Sequence, residues 1–214
     1  MAVYTKIGLD EINLIEKNFS IGKILNYSGI KKGIENTNYL IKSKERKFIL
    51  TIFEKRVNSR DLPFFMKLMS GLAKSKIKCP KPVENKKGKY LFKLKGKNAC
   101  LVTFLEGKDK NNLNSKECFV IGKNIARLHN SSKKLRIFRK NSLSVNSWGP
   151  LLKKISRKIN KKFKDLTDNM KTDYIQIKKL WPKKLPTGII HGDLFIDNIF
   201  FFKGSFYGFI DFYF

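Results

Sequence analysis

The stretch His191-Gly192-Asp193-Leu194-Phe195-Ile196-Asp197-Asn198 runs into the apolar piece Ile199-Phe200-Phe201-Phe202, and a second apolar piece closes on Gly208-Phe209-Ile210-Asp211. Runs of this length and apolarity, separated by a lysine-glycine turn, predict two short strands of a hairpin. Two carboxylates and an amide, Asp193, Asn198 and Asp211, then fall beside the ends of that hairpin. Taken singly, each has an ordinary reading. Asp193 fits a turn after a strand, Asn198 a loop cap, and Asp211 a strand-end carboxylate. Taken in order, between apolar strands, they form a set of oxygen donors suited to a hard cation such as Mg²⁺.

Upstream of the hairpin, the apolar spacing supplies the rest of the layout. Leu9, Ile12, Ile15 and Phe19 share one face of a short helix. A turn-rich stretch, Ser28 to Asn38, precedes the strand Tyr39-Leu40-Ile41, and a charged turn leads into the strand Phe48 to Phe53. Asp61 caps a helix that carries Pro63 in its first turn and Leu62, Phe65, Met66, Met69 and Leu72 at helical spacing. Strands are expected near Lys89 to Leu94 and Ala99 to Phe104, after which Glu106-Gly107 ends the β-rich part. Helices follow over Lys116 to Leu128, Pro150 to Phe163 and Thr172 to Leu180, and Gly188-Ile189-Ile190 reads as a further strand. The predicted class is α+β: a small antiparallel lobe over residues 1–104 and a mainly helical lobe over 105–214.

Composition narrows the function classes. A chain of 214 residues that is 42% hydrophobic can bury a real core. It contains no apolar run long enough to span a membrane, and Met1 to Lys6 lacks the layout of a signal peptide, so a cytoplasmic protein is expected. Cys79, Cys100 and Cys118 are far apart and read as free thiols; with His129 and His191 in separate contexts, a zinc site is not expected. The formal charge of +29 suggests nucleic acid at first sight. The lysines, however, are spread along the whole chain among Asn, Ile and Phe, whose codons are rich in A and T. That pattern fits drift of surface positions towards lysine, and no nucleic-acid partner is expected. Positive potential around a cleft would still draw in anions.

The Asp193 loop resembles the catalytic loop H-x-D-x-x-x-x-N of kinases, with Asp211 at the place of their downstream metal-binding aspartate. The resemblance implies that Asp193 orients the attacking hydroxyl and accepts its proton. It implies that Asn198 and Asp211 hold Mg²⁺, and that His191 is a scaffold residue. Asp197 reads as a solvated turn residue. The stretch Gly29 to Asn38 lacks a full G-x-G-x-x-G, but looks like the looser nucleotide-covering loop of the aminoglycoside-phosphotransferase family. Gly29, Gly33 and Asn36 are its candidate contacts for ATP, because glycine lets backbone N–H groups approach phosphates. An ordinary hairpin turn is the competing reading.

Longer blocks narrow the resemblance. Met1 to Thr5, Gly33 to Tyr39, Phe48 to Asn58, Asp61 to Phe65, Val102 to Gly107 and Asp211 to Phe214 resemble the homoserine kinases of that family, and they cover nearly the whole chain. The resemblance implies a small-molecule substrate, L-homoserine, whose side-chain hydroxyl is phosphorylated by ATP on the way to threonine. Choline, methylthioribose and aminoglycoside kinases, or a non-catalytic remnant, are the alternatives. Two departures stand out. Where kinases carry a phosphate-binding lysine on the third strand and a partner glutamate on the helix, the aligned residues are Thr51 and Phe65; Lys55 is the candidate replacement cation. Family members also continue with helices that complete the second lobe. The stop at Phe214 is therefore read as a truncation that leaves the second lobe incomplete, and the isolated chain is expected to be unstable and inactive.

Overall fold

A computed structural model describes residues 3–32, 35–159 and 163–213. The elements are α1 (Leu9–Asn18), β1 (Ile24–Gly29), β2 (Thr37–Ser43), β3 (Lys47–Ile52), α2 (Leu62–Lys74), β4 (Leu91–Leu94), β5 (Lys97–Thr103), α3 (Ser115–Ser132), α4 (Val145–Ser156), α5 (Lys164–Leu180), β6 (Ile199–Phe202) and β7 (Ser205–Phe209). Strands β1 to β5 form one sheet in the order β1-β2-β3-β5-β4, every neighbouring pair antiparallel. Strands β6 and β7 form a separate hairpin. The β-rich part expected ahead of Glu106 is thus present, with α2 inserted between β3 and β5.

The sheet has two buried faces, and the period of two along its strands sorts side chains between them. Phe48, Leu50 and Ile52 of β3 and Ala99 and Leu101 of β5 pack with Ile12, Ile15 and Phe19 of α1. Phe53, Cys100 and Val102 pack on the other side with Leu62, Phe65, Met66 and Met69 of α2, and with Ile199, Phe201 and Phe209 of the hairpin. Leu50, Ile52 and Ile15 are completely buried. Each such side chain contributes about 1.5–3 kcal/mol, so a one-residue slip of β3, which would exchange its faces, is strongly disfavoured.

The hairpin is fastened on both strands. Phe201 donates its N–H to the Lys108 carbonyl at 2.8 Å and accepts from the Lys108 N–H at 3.0 Å. Phe209 donates to the Lys78 carbonyl at 3.0 Å. Both contacts depend on glycine. A Cβ on Gly107 would lie 2.5 Å from the Phe201 oxygen, and one on Gly208 would lie 2.4 Å from the Lys78 oxygen.

Three sequence expectations need correction. Gly188 to Ile190 is not a strand; no sheet edge pairs with it, and the Ile189 carbonyl instead accepts the Ser132 hydroxyl at 3.4 Å. Helix α4 begins at Val145, so Pro150 lies inside it rather than at its start. At its start the extended Ser144 accepts the Ser147 N–H on its backbone carbonyl at 2.8 Å, and the Trp148 indole N–H donates back to the Leu143 carbonyl at 3.0 Å. Helix α5 begins well before Thr172, with Asp165 in its first turn, where a negative charge complements the helix dipole.

By compactness the chain divides into Met1–Ile137 with Gly188–Phe214, and Phe138–Thr187. The second body pairs α4 with α5, and the Trp148 and Trp181 rings meet edge-on at 5.6 Å. Among the described residues, no helix is long and apolar enough to cross a membrane.

Candidate active site

The hairpin explains how residues far apart in sequence come together. Pairing of Ile199 with Phe209 sets the start of β6 against the end of β7. Asn198 closes a short 3-10 turn, Ile196–Asn198, just before β6. Its carbonyl accepts the Ile210 N–H at 3.0 Å, which places Asp211 next in line. Its side-chain amide donates to the Asp193 carbonyl at 2.8 Å. Asn198 is therefore a buried hub between Asp193 and Asp211, the three residues on which the sequence reading rests.

Asp211 has a φ of 60°, a left-handed conformation that is rare outside glycine and tolerated better by Asp than by most residues. The strain is held by its surroundings: His191 donates from Nε2 to the Ile210 carbonyl at 2.8 Å, and its ring packs on Phe212 at 4.6 Å. A carbonyl can only accept, so this bond places the imidazole proton on Nε2. Nδ1 is then buried with no hydrogen-bond partner. Burial holds the His191 pKa below its usual range, although the Ile210 bond and the Asp193 charge oppose it. Burial keeps the ring neutral, and the two contacts fix it beside the turn into Asp211.

The carboxyl of Asp211 is open to solvent on one side and surrounded by protein on the others. That surround raises its pKa, and the charges of Asp193 and Asp197 raise it further; the Tyr213 N–H and the charge of Arg56 pull it down. A divalent cation at Asp211 would offset the repulsion its carboxylate feels from Asp193 and Asp197. The donors fit such an ion. The Asn198 amide nitrogen is committed to Asp193, which leaves its oxygen for a hard cation, and Asp211 offers carboxylate oxygens. Among the described residues, no three His, Cys, Asp or Glu side chains gather as a ready-made metal cluster. The remaining ligands of a magnesium ion would come from nucleotide phosphates and water.

Of the other candidates, Gly29, Asn36 and Lys55 lie at or just beyond strand ends. Gly29 ends β1, and the space a side chain there would fill is taken by Val3, 2.8 Å from where a Cβ would stand. Gly33 lies outside the described residues. Asn36 is buried, and its side-chain oxygen accepts the Glu54 N–H at 3.4 Å. Lys55 is exposed. Sequence reasoning missed the group behind Asn36. There the Glu54 carboxylate accepts the hydroxyls of Thr5 and Thr37, each at 2.7 Å, and pairs with the Lys97 ammonium. Burial pushes the Glu54 pKa up, but the bonds from Lys97, Thr5 and Thr37 outweigh it and hold the carboxyl below its usual range. The group pins residues 4–5 to the return of the 29–38 loop. Its signal in sequence is a single acid directly after an apolar strand.

Thr51 and Phe65 sit on the sheet face towards the hairpin. The Thr51 hydroxyl donates to the Asn38 side-chain oxygen at 2.8 Å. Phe65 meets the Tyr213 ring edge-on at 6.0 Å, and Phe53 meets the same ring at 5.0 Å. The Tyr213 hydroxyl lies 3.5 Å from the Cys100 sulfur. The place of the usual lysine–glutamate pair is filled by neutral and aromatic groups, so no unpaired charge is buried there.

Comparison with known proteins gives the family of the chain. Residues 26–214 match the family model described as the phosphotransferase enzyme family. The homoserine kinase of Methylorubrum populi is 39% identical over all 214 residues, which cover 67% of its length. That of Nitrobacter hamburgensis is 41% identical over the same span, 66% of its length. The chain thus spans about two thirds of these relatives. Among solved structures, a spectinomycin phosphotransferase in complex with ADP and spectinomycin aligns with a TM-score of 0.69. It is 17% identical, over 97% of this chain and 69% of that one, a likeness of fold alone. With the kinase-like order of elements and a family match over most of its length, this chain belongs to the phosphotransferase enzyme family.

Proposed function

We propose that the chain carries the nucleotide-binding and catalytic machinery of an ATP-dependent kinase that converts L-homoserine to O-phospho-L-homoserine. The observation that carries the reading is the Asn198 hub, which ties the Asp193 carbonyl and the residue before Asp211 to one side chain and its own backbone. Identity of about 40% to homoserine kinases along the whole chain supports homoserine as the acceptor.

In this reading residues 1–104 form the nucleotide lobe and 105–214 the catalytic lobe. The loop 29–38 covers ATP through Gly29, Gly33 and Asn36. Asp193 orients the homoserine hydroxyl and takes its proton as the oxygen–phosphorus bond forms and ADP departs. Magnesium held by Asn198 and Asp211 would neutralise charge on the phosphate oxygens. The reaction belongs in the cytoplasm, where ATP is at hand.

The test is a panel of acceptors offered with ATP and Mg²⁺ to purified full-length protein, with ADP release as the readout. Homoserine-dependent release is expected. Asp193→Asn should lower turnover by about 10²–10⁴-fold while ATP binding persists. Transfer to choline or methylthioribose with none to homoserine would overturn the choice of acceptor.

A further inference from the structure

The sheet face above the carboxylates has lost the usual phosphate-binding lysine: Thr51 stands there, bonded to Asn38, and aromatic rings fill the rest. A nucleotide triphosphate still needs a cation. Lys55 is exposed and makes no ion pair among the described residues. Its neighbour Arg56 is placed differently. One guanidinium nitrogen pairs with the Glu35 carboxylate, inside the 29–38 loop. The chain path fixes it there, because Glu54, two residues earlier, is bonded to Thr37 and through its N–H to Asn36.

On the nucleotide-kinase reading above, we infer that Arg56 is the cation that grips the phosphates of ATP, exchanging Glu35 for them when the nucleotide binds. It touches the covering loop through Glu35. The exchange is cheap. The Arg56 side chain is 58% exposed and that of Glu35 is 32% exposed, and an ion pair in such a setting is worth only about 0–1 kcal/mol. A phosphate offers the guanidinium two oxygens in the same forked geometry as a carboxylate, with more charge. The chain has seven arginines among its 46 basic residues. Most cationic positions are therefore lysine, and arginine here supplies a planar fork that lysine lacks.

The experiment measures binding of ATP and of adenosine, each with Mg²⁺, to the wild-type chain and to Arg56→Ala, Arg56→Lys, Lys55→Ala and Glu35→Gln. Arg56→Ala should weaken ATP by roughly ten- to a hundredfold, the scale of a charged hydrogen-bonding group, and leave adenosine unchanged. Arg56→Lys should recover part of the loss. Glu35→Gln, which removes the carboxylate charge that competes with phosphate for the guanidinium, should tighten ATP. Equal loss of ATP and adenosine in Arg56→Ala would mark a structural role and overturn the assignment. So would wild-type ATP affinity in that variant, or a larger selective loss in Lys55→Ala. Homoserine-dependent ADP release by purified full-length protein reports separately on the kinase reading: ATP binding without transfer to homoserine there sinks the acceptor and leaves Arg56 to be judged by the binding data.

Discussion

At the scale of the residue, His191 shows how a titratable group becomes part of a scaffold. Its Nε2–H bond to Ile210 and its stacking on Phe212 hold the loop to the residue before Asp211. Its folded pKa lies below the ordinary value of about 6.5, with burial the main cause. The unfolded chain therefore takes up the proton first as pH falls. The stability that a neutral His191 contributes is complete above about pH 6.5 and is lost as the pH drops towards the folded pKa. Unfolding free energy measured by denaturant titration should rise from pH 5 to pH 7 in the wild type. In His191→Gln, which keeps a donor but cannot titrate, that slope should flatten; an unchanged slope would place the titrating group elsewhere. The order Asp193, Asn198, Asp211 was legible from sequence because chemistry and spacing coincide there. The role of Arg56 was not. Its partner Glu35 lies across a loop whose contacts no periodicity encodes, so the sequence pointed to Lys55 instead.

At the scale of the element, the hairpin β6–β7 is placed by glycines rather than by side chains. Gly107 has a φ of 108° and no room for a Cβ against the Phe201 oxygen. Gly204, in the hairpin turn, also has a positive φ, 79°, but a Cβ there meets nothing within 4 Å. The pair separates two costs. Gly204→Ala should lose only backbone strain, about 1–2 kcal/mol. Gly107→Ala adds a clash with backbone that cannot swing away, a further ~1–3 kcal/mol. Thermal unfolding of both variants checks the order; equal losses would show that the Phe201 contact yields easily. The sheet was readable because alternation on β3 and β5 marks two buried faces. The helix starts were not. Pro150 looked like a first-turn residue, yet contacts around Ser144 and Trp148 began α4 before it. Gly188 to Ile190 has the composition of a strand but no edge to join.

At the scale of the whole molecule, the three thiols report on different parts of the chain. Cys79 and Cys100 lie in the core cluster between sheet, α2 and hairpin, and burial pushes both thiols up to about 12. Cys118, on α3, is exposed. A thiol reagent at neutral pH should modify one cysteine quickly in the folded protein. The other two should react together across a denaturant titration, since they share one cluster. Early reaction of Cys79 ahead of Cys100 would show that this cluster opens in stages. The two clusters also differ in how much chain they need. The one beneath α1 draws only on residues between Ile12 and Leu101, whereas the other joins Phe53 to Phe212. On a ribosome, where the chain emerges from its N-terminus, the first face of the sheet can be sealed early. The second can be covered early only in part, by α2 and then α3, and the share of it that Ile199, Phe201, Phe209 and Phe212 supply stays open while the whole Phe138–Thr187 body is made.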